Sequence, residues 1–377
     1  MSKNNKFMRI LLTTQRPDAV SSKINIPNFL RINDIKGVSI DLGGTEYAEY
    51  DFILFMGYDP RIAEARAVNP SAKIGIIDPR PGNREVVNGA DFIIANGPEM
   101  RDFFADQFAN IFLYPIYTEV PAHTRQHKAG PIRIGYHGNK VNLQLIAPHI
   151  SGVLNILGGE HEIELAIFYN KEMLGPLDFP VCDINRVKLT TIQFREAELA
   201  NFARTVDIGI VPNIIPTAPL PFDNNQPRLY NEHPSDYLTR YKATANAGRI
   251  FLFAQNAIPV IAGPTPSAAQ LITDGESGFL PATPGGWYNA LNALIQSPEL
   301  RQTMGGNLQR KVADEFAIDI LNKRLVEQFK NYKDKTAFRD KASGMQPALK
   351  PPLTQAPSKA QRFFNTLKRF GSSRLNK

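Results

Sequence analysis

The sequence predicts an α/β chain built as two doubly wound units in tandem. Three observations lead there. Short, almost continuous apolar runs recur along the chain, the pattern of strands buried on both faces. Helix-like stretches separate them, and strands alternating with helices imply a parallel sheet with helices on both faces. The series also starts twice, at Phe7 and again at Pro131, with an irregular Pro-bounded stretch between.

In the first unit, Phe7–Thr13, Asp51–Met56, Ala72–Ile77 and Asp91–Ala95 read as buried strands, and Ile111–Leu113 as a short last one. Pro60–Val68 reads as a helix. Pro98–Phe108 opens with Pro and an acid, which favours a helix start. Pro115–Pro131 has no apolar period and is expected to be a solvated linker. It holds His123 and His127, but no third metal ligand is near.

The second unit begins with the strand Ile132–Tyr136. Glu162–Phe168, Val187–Phe194, Val206–Val211 and Ile258–Ala262 follow as strands. Arg195–Arg204, Ala243–Gln255, Pro284–Gln296, Pro298–Glu315 and Ile318–Tyr332 read as helices. Ligands of such sheets sit beyond the C-terminal ends of the strands, so the expected site is a cleft between the units. The expected divisions are 1–125, 130–315, a helix at 316–332 that packs back on the first unit, and a tail at 333–377.

Composition narrows the function. With 377 residues, 43% of them hydrophobic, two cores are affordable. The single cysteine, Cys182, excludes an internal disulfide framework and suits a reducing compartment. No run approaches a membrane span, and Met1–Lys6 lacks the form of a signal peptide, so a cytoplasmic body is expected. The tail from Lys333 carries eleven Lys/Arg and two Asp/Glu, a charge of +9. The net charge is +7, so the preceding residues sum to −2. A near-neutral body argues against a nucleic-acid partner.

Two segments have phosphate chemistry. Gly138, Asn139 and Lys140 follow the first strand of the second unit and lead into a helix, where backbone amides and a cation can meet an anion. Arg240, Tyr241 and Lys242, followed by Asn246 and Arg249, gather cations among small residues ahead of the strand Ile258–Ala262. Asp78, Arg80, Pro264 and Thr265 stand after other strands and are secondary cleft candidates. Pro212–Pro227, with Asn224 and Asn225, reads as a mobile loop beside the cleft, and Ser235 and Asp236 as turn caps. No nicotinamide-type Gly-x-Gly-x-x-Gly, P-loop, Asp-x-Asp pair, Gly-x-Ser-x-Gly elbow or His-Glu-x-x-His helix occurs.

The residues from Val206 to Phe316 resemble the C-terminal domain of retaining GT-B glycosyltransferases of group 1, family 4-like. The matching text is VDIGIVP, GRIFLFAQNAIPVIAG, LITDGESGFL and WYNALNALIQSPELRQTMGGNLQRKV, in that order. GYHGN at Gly135 resembles the family's first turn in that domain, and ADFIIANGPEMRDFF the end of its N-terminal domain. The resemblance implies the GT-B fold, with two facing Rossmann-like domains. It also implies a nucleotide-sugar donor in the second domain, a glycan, lipid or protein acceptor in the first, retained anomeric configuration, and no metal or other cofactor. The family's paired Glu would fall at Thr244 and Leu252, its Gly-rich loop at Thr13–Pro17, and its N-domain His near Asp78–Arg80. These departures leave two alternatives: a non-catalytic relative that binds a nucleotide sugar or a partner, and a nucleotide-sugar epimerase on the same fold.

The tail has its own pattern. Gly344–Pro357 is Pro-rich and expected to be extended. Beyond it, Ala360, Phe363, Phe364, Leu367 and Phe370 fall at helical spacing among Lys359, Arg362, Lys368 and Arg369. That pattern suits an amphipathic helix on an anionic bilayer; the other occupants of such a face are the body or a protein partner.

Overall fold

A computed structural model of the chain describes residues 7–57, 60–79, 84–177, 184–213 and 247–335. Two six-stranded sheets dominate it, and every paired strand is parallel. The first runs in the order β2-β1-β3-β4-β5-β6. Its inner strands β1 (Met8–Thr13), β3 (Phe52–Met56), β4 (Lys73–Ile77) and β5 (Phe92–Ala95) are the apolar runs of the sequence, buried because helices cover both faces. The edges are β2 (Val38–Leu42) and β6 (Ile111–Leu113). Helices α1 (Val20–Leu30), α2 (Ile62–Val68) and α3 (Pro98–Phe104) connect these strands.

The second sheet runs β12-β11-β10-β7-β8-β9. Its strands are β7 (Ile132–His137), β8 (Ile163–Tyr169), β9 (Lys188–Gln193), β10 (Ile208–Val211), β11 (Val260–Ala262) and β12 (Gly278–Phe279). The helices of this half are α4 (Lys140–Gly158), α5 (Lys171–Leu174), α6 (Leu199–Arg204), α7 (Gly248–Ala254), α8 (Pro266–Leu271), α9 (Pro284–Gln296) and α10 (Pro298–Glu315). Local chemistry sets the starts of the last three. Each has Pro in its first turn, and the preceding Thr265, Thr283 or Ser297 accepts a hydrogen bond from a backbone N–H of that turn.

The strand orders locate the crevices. In the first sheet the direction of winding reverses between β1 and β3, and in the second between β7 and β10. Crevices open beyond the C-terminal ends of strands at such points.

Helix α11 (Ile318–Lys330) packs on the first sheet. Phe329 stacks on Phe52 at 4.4 Å between ring centroids and touches Phe92 and Phe112 edge-on. Asn322 accepts from the Tyr114 hydroxyl at 2.9 Å and donates to the Asn28 carbonyl at 2.8 Å. One apolar cluster runs from Ile10, Phe52 and Phe92 through Tyr117 and Phe329 to Phe251 and Val260, so the core crosses from one sheet to the other.

The expectation of a solvated linker at Pro115–Pro131 is corrected. Tyr117 lies on Phe251, with ring centroids 4.1 Å apart and planes 5° from parallel, and its hydroxyl donates to the Phe316 carbonyl. The Gln255 amide accepts from Val120 N at 2.8 Å and donates to Thr118 O at 3.2 Å. Arg125 pairs with Asp207 at 2.6 Å, and the His127 ring Nε2–H points to Ala257 O at 3.3 Å. The stretch lacks a local period because its partners are distant in sequence.

Among the described residues no helix is long and apolar enough to cross a membrane. Cys182, Ser235, Asp236, the loop beyond Asn213, including Asn224 and Asn225, and the tail beyond Lys335 lie outside the described residues.

Candidate functional site

The crevice of the second sheet is built from three strand ends and one helix. β7 delivers His137 and Gly138, β10 delivers Asn213, and β11 delivers Gly263, Pro264 and Thr265. The first turn of α7 supplies Arg249. Its guanidinium donates to Asn213 Oδ1 at 3.1 Å and reaches the Tyr136 hydroxyl at 3.4 Å. It also lies 5.8 Å from the centroid of the Tyr136 ring, within cation–π range.

Gly138 is required here. Its φ is +121°, and a Cβ would stand 3.0 Å from Arg249 Cδ. Gly263 is required for a different reason, since a Cβ there would meet the Asn213 carbonyl oxygen at 2.0 Å. The strand ends therefore close on each other around Asn213. The Asn213 Nδ2 stands beside the guanidinium, buried and with no hydrogen-bond partner among the described residues.

His137 is a structural group. Its Nε2 faces the Arg249 carbonyl at 3.2 Å, which fixes the proton on Nε2, and its ring meets Phe253 edge-on at 5.4 Å. Burial pushes its pKa down to about 3, so it stays neutral near pH 7. Tyr136 is pushed up by burial, against the opposing effect of Arg249, and stays a phenol.

The other expected residues are placed as follows. Asn139 is exposed, and its carbonyl accepts from the Tyr136 hydroxyl at 2.5 Å. Lys140 is buried and donates from Nζ to the Pro176 carbonyl at 2.7 Å. Thr265 caps α8, and Pro264 is half-buried beside it. Asp78 follows β4 with φ +50°, a left-handed conformation that aspartate and asparagine adopt more readily than other non-glycine residues, and accepts from Asn96 Nδ2 at 2.7 Å. Arg80, Arg240, Tyr241, Lys242 and Asn246 lie outside the described residues.

Sequence reasoning missed Glu99 and Asn213. Glu99 belongs to the first turn of α3, at the end of β5, and is 5% exposed. Its Oε1 accepts from Ser267 N at 2.9 Å and Ser267 Oγ at 2.8 Å. Burial holds its carboxyl above the usual range, and the Ser267 bonds oppose that shift. The only sequence signal for Glu99 was its place after Pro98, which reads as an ordinary helix start. Among the described residues no three His, Cys, Asp or Glu side chains are grouped to hold a metal ion.

No protein-family model matches the chain, and no curated protein matches it by sequence. Solved structures do match its fold. One is HepE of Anabaena in complex with UDP and glucose, 13% identical with a TM-score of 0.54, matched over 86% of this chain and 100% of that one. A glycosyltransferase from Rickettsia africae is 10% identical with a TM-score of 0.54, over 87% and 98%. Sucrose-phosphate synthase of Thermosynechococcus elongatus is 11% identical with a TM-score of 0.53, over 86% and 98%. Two parallel six-stranded sheets with helices on both faces, matched across nearly the whole of these proteins, make the fold GT-B.

Proposed function

We propose that the chain is a glycosyltransferase that moves a sugar from a nucleotide-sugar donor to a glycan, lipid or protein acceptor. The observation that carries this reading is the group at the β7/β10 crevice: Arg249 over Gly138, beside the Asn213 amide, whose Nδ2 has no partner among the described residues. A cation and an amide N–H at a backbone held open by glycine suit a diphosphate. Asn139 and Lys140 at the start of α4, together with Lys242 and Asn246, complete the proposed donor site on sequence grounds. Of these, Lys140 would have to turn its ammonium from Pro176 toward the ligand.

In this reading the second sheet holds the donor and the crevice at β1 and β3 the acceptor. Transfer breaks the bond between the anomeric carbon and the diphosphate and forms one to the acceptor oxygen, whose proton is released. Negative charge grows on the departing diphosphate, and Arg249 stabilises it there. We take the reaction to be retaining and metal-independent, from the family resemblance and the lack of an Asp-x-Asp pair. UDP-sugars are the first donors to test, because HepE holds UDP and glucose. We take the body to be cytoplasmic, from its lack of a membrane-span run, and on the tail's pattern of Phe and Lys/Arg we take it to be held at an anionic membrane face.

One observation favours a second reading. Leu252 occupies a place where the family carries Glu, and it is 2% exposed within the core, so no carboxylate reaches the site from there. A non-catalytic binder of nucleotide sugars would tolerate this. A donor screen separates the two. Donor hydrolysis or transfer supports the enzyme, and thermal stabilisation without turnover under any acceptor supports the binder.

A further inference from the structure

Glu99 and Ser267 belong to different sheets. Glu99 lies in the first turn of α3, at the C-terminal end of β5, and Ser267 in the first turn of α8, at the C-terminal end of β11. Both therefore stand on the edges that carry the two crevices. The two hydrogen bonds from Ser267 N and Oγ to Glu99 Oε1, at 2.9 and 2.8 Å, join the sheet bodies directly. Other ties run through connecting chain: Arg31 to Asp319 and Tyr114 to Asn322 through α11, and Gln255 to Thr118 through the crossover segment.

The energetics of this pair suit a reversible contact. Ser267 has its hydroxyl and its amide on one carboxylate oxygen, while Glu99 Oε2 is buried with no partner among the described residues. Charge-assisted bonds favour the closed contact. Withdrawing a carboxylate from water with half its acceptors unused opposes it. Opening returns the carboxylate to water, so the two states differ by a small remainder of large terms. A purely structural contact is served as well by apolar packing, and here Met100 and Phe104 on α3 lie in one apolar cluster while Ala268 and Leu271 on α8 lie in another.

The pair is also continuous with the β7/β10 crevice. Ser267 follows the turn Gly263–Pro264–Thr265, and Gly263 rests against the Asn213 backbone. Asn213 in turn holds Arg249. A ligand that re-aims Arg249 thus acts on the residue against which the latch-bearing turn is seated.

From this geometry we propose that Glu99 and Ser267 form a latch that holds the two sheets closed across the cleft. The latch does not depend on the identity of the ligand, so it stands or falls apart from the glycosyltransferase reading.

Pulsed electron spin resonance on the full chain tests it. Cys182→Ser removes the native thiol, and spin labels go on Lys23→Cys in α1 and Glu276→Cys before β12, both exposed. Without ligand, Glu99→Ala should shift the inter-label distribution away from the parent population. Ser267→Ala removes one of the two bonds and should shift it less. Combining the two should shift it no further than Glu99→Ala alone. Circular dichroism checks that each variant is folded, and if Glu99→Ala is not, Ser267→Ala alone decides. A distribution unchanged in every folded variant overturns the latch, and so does a double variant whose shift is the sum of the singles.

Discussion

Gly138→Ala perturbs the proposed site in two separable ways. At φ +121° an alanine is strained, which costs about 1–3 kcal/mol of stability. Its Cβ would also stand 3.0 Å from Arg249 Cδ, so the arginine must yield. Driving that side chain off its rotamer costs about 0.5–1.5 kcal/mol, which weakens a nucleoside diphosphate by roughly 2–10-fold. Arg249→Ala removes the charge-assisted bonds outright, about 1.5–3 kcal/mol or roughly 10–150-fold in Kd. The two effects meet in a double-mutant cycle read by calorimetry and by denaturant unfolding. The stability loss from Gly138→Ala should persist in the Arg249→Ala background, because strain does not need the arginine. The affinity loss should disappear there. If Gly138→Ala weakens binding equally in both backgrounds, the glycine does not act through Arg249. If Arg249→Ala leaves affinity unchanged, the proposed diphosphate site is wrong.

Other predictions concern stability and the tail. His137, pushed down to about 3, and His127, lowered by burial, are both held neutral in the folded chain. Their contribution is complete above the unfolded value of about 6.5 and is lost as pH falls from there, for His137 down toward about 3. The melting temperature of His137→Gln should therefore fall less steeply than the parent's between neutral and acid pH, and parallel slopes would refute this. Phe329→Ala empties a site ringed by Phe52, Phe92 and Phe112 and should cost about 3–5 kcal/mol in denaturant unfolding. A loss below about 1 kcal/mol would contradict the packing of α11. Deleting Ser358–Lys377 should abolish sedimentation with anionic liposomes and leave nucleotide affinity unchanged. Phe364→Glu should weaken that sedimentation more than Lys359→Ala, and a full-length chain that ignores such liposomes at low salt refutes the membrane placement.

The sequence made the inner strands legible because burial on both faces leaves continuous apolar runs, as at Phe52–Met56 and Phe92–Ala95. The edge strand Val38–Leu42 was not read. One of its faces meets solvent, so Ser39 and Asp41 interrupt the run. The two-residue strand at Gly278 is too short to leave an apolar run. Gly138 and Arg249 were legible as chemistry, a glycine after a strand and a cation among small residues, but not their contact, which joins positions over a hundred residues apart. Asn213 carried no signal in a Pro-rich stretch. Glu99 read as a helix-start acid, since only the other sheet reveals what its carboxylate accepts. The crossover was misread for the same reason: Tyr117 looks like a lone aromatic until Phe251 is placed under it.

The most direct test of the central claim is release of nucleoside diphosphate from a panel of nucleotide sugars, with UDP-sugars first, measured in EDTA beside calorimetric binding on the same preparation. The account predicts a donor that binds, is cleaved without added metal, and is cleaved far more slowly by Arg249→Ala. A donor that binds through Arg249 but is never cleaved, with any acceptor or metal, would make the chain a binder and contradict the assignment as an enzyme.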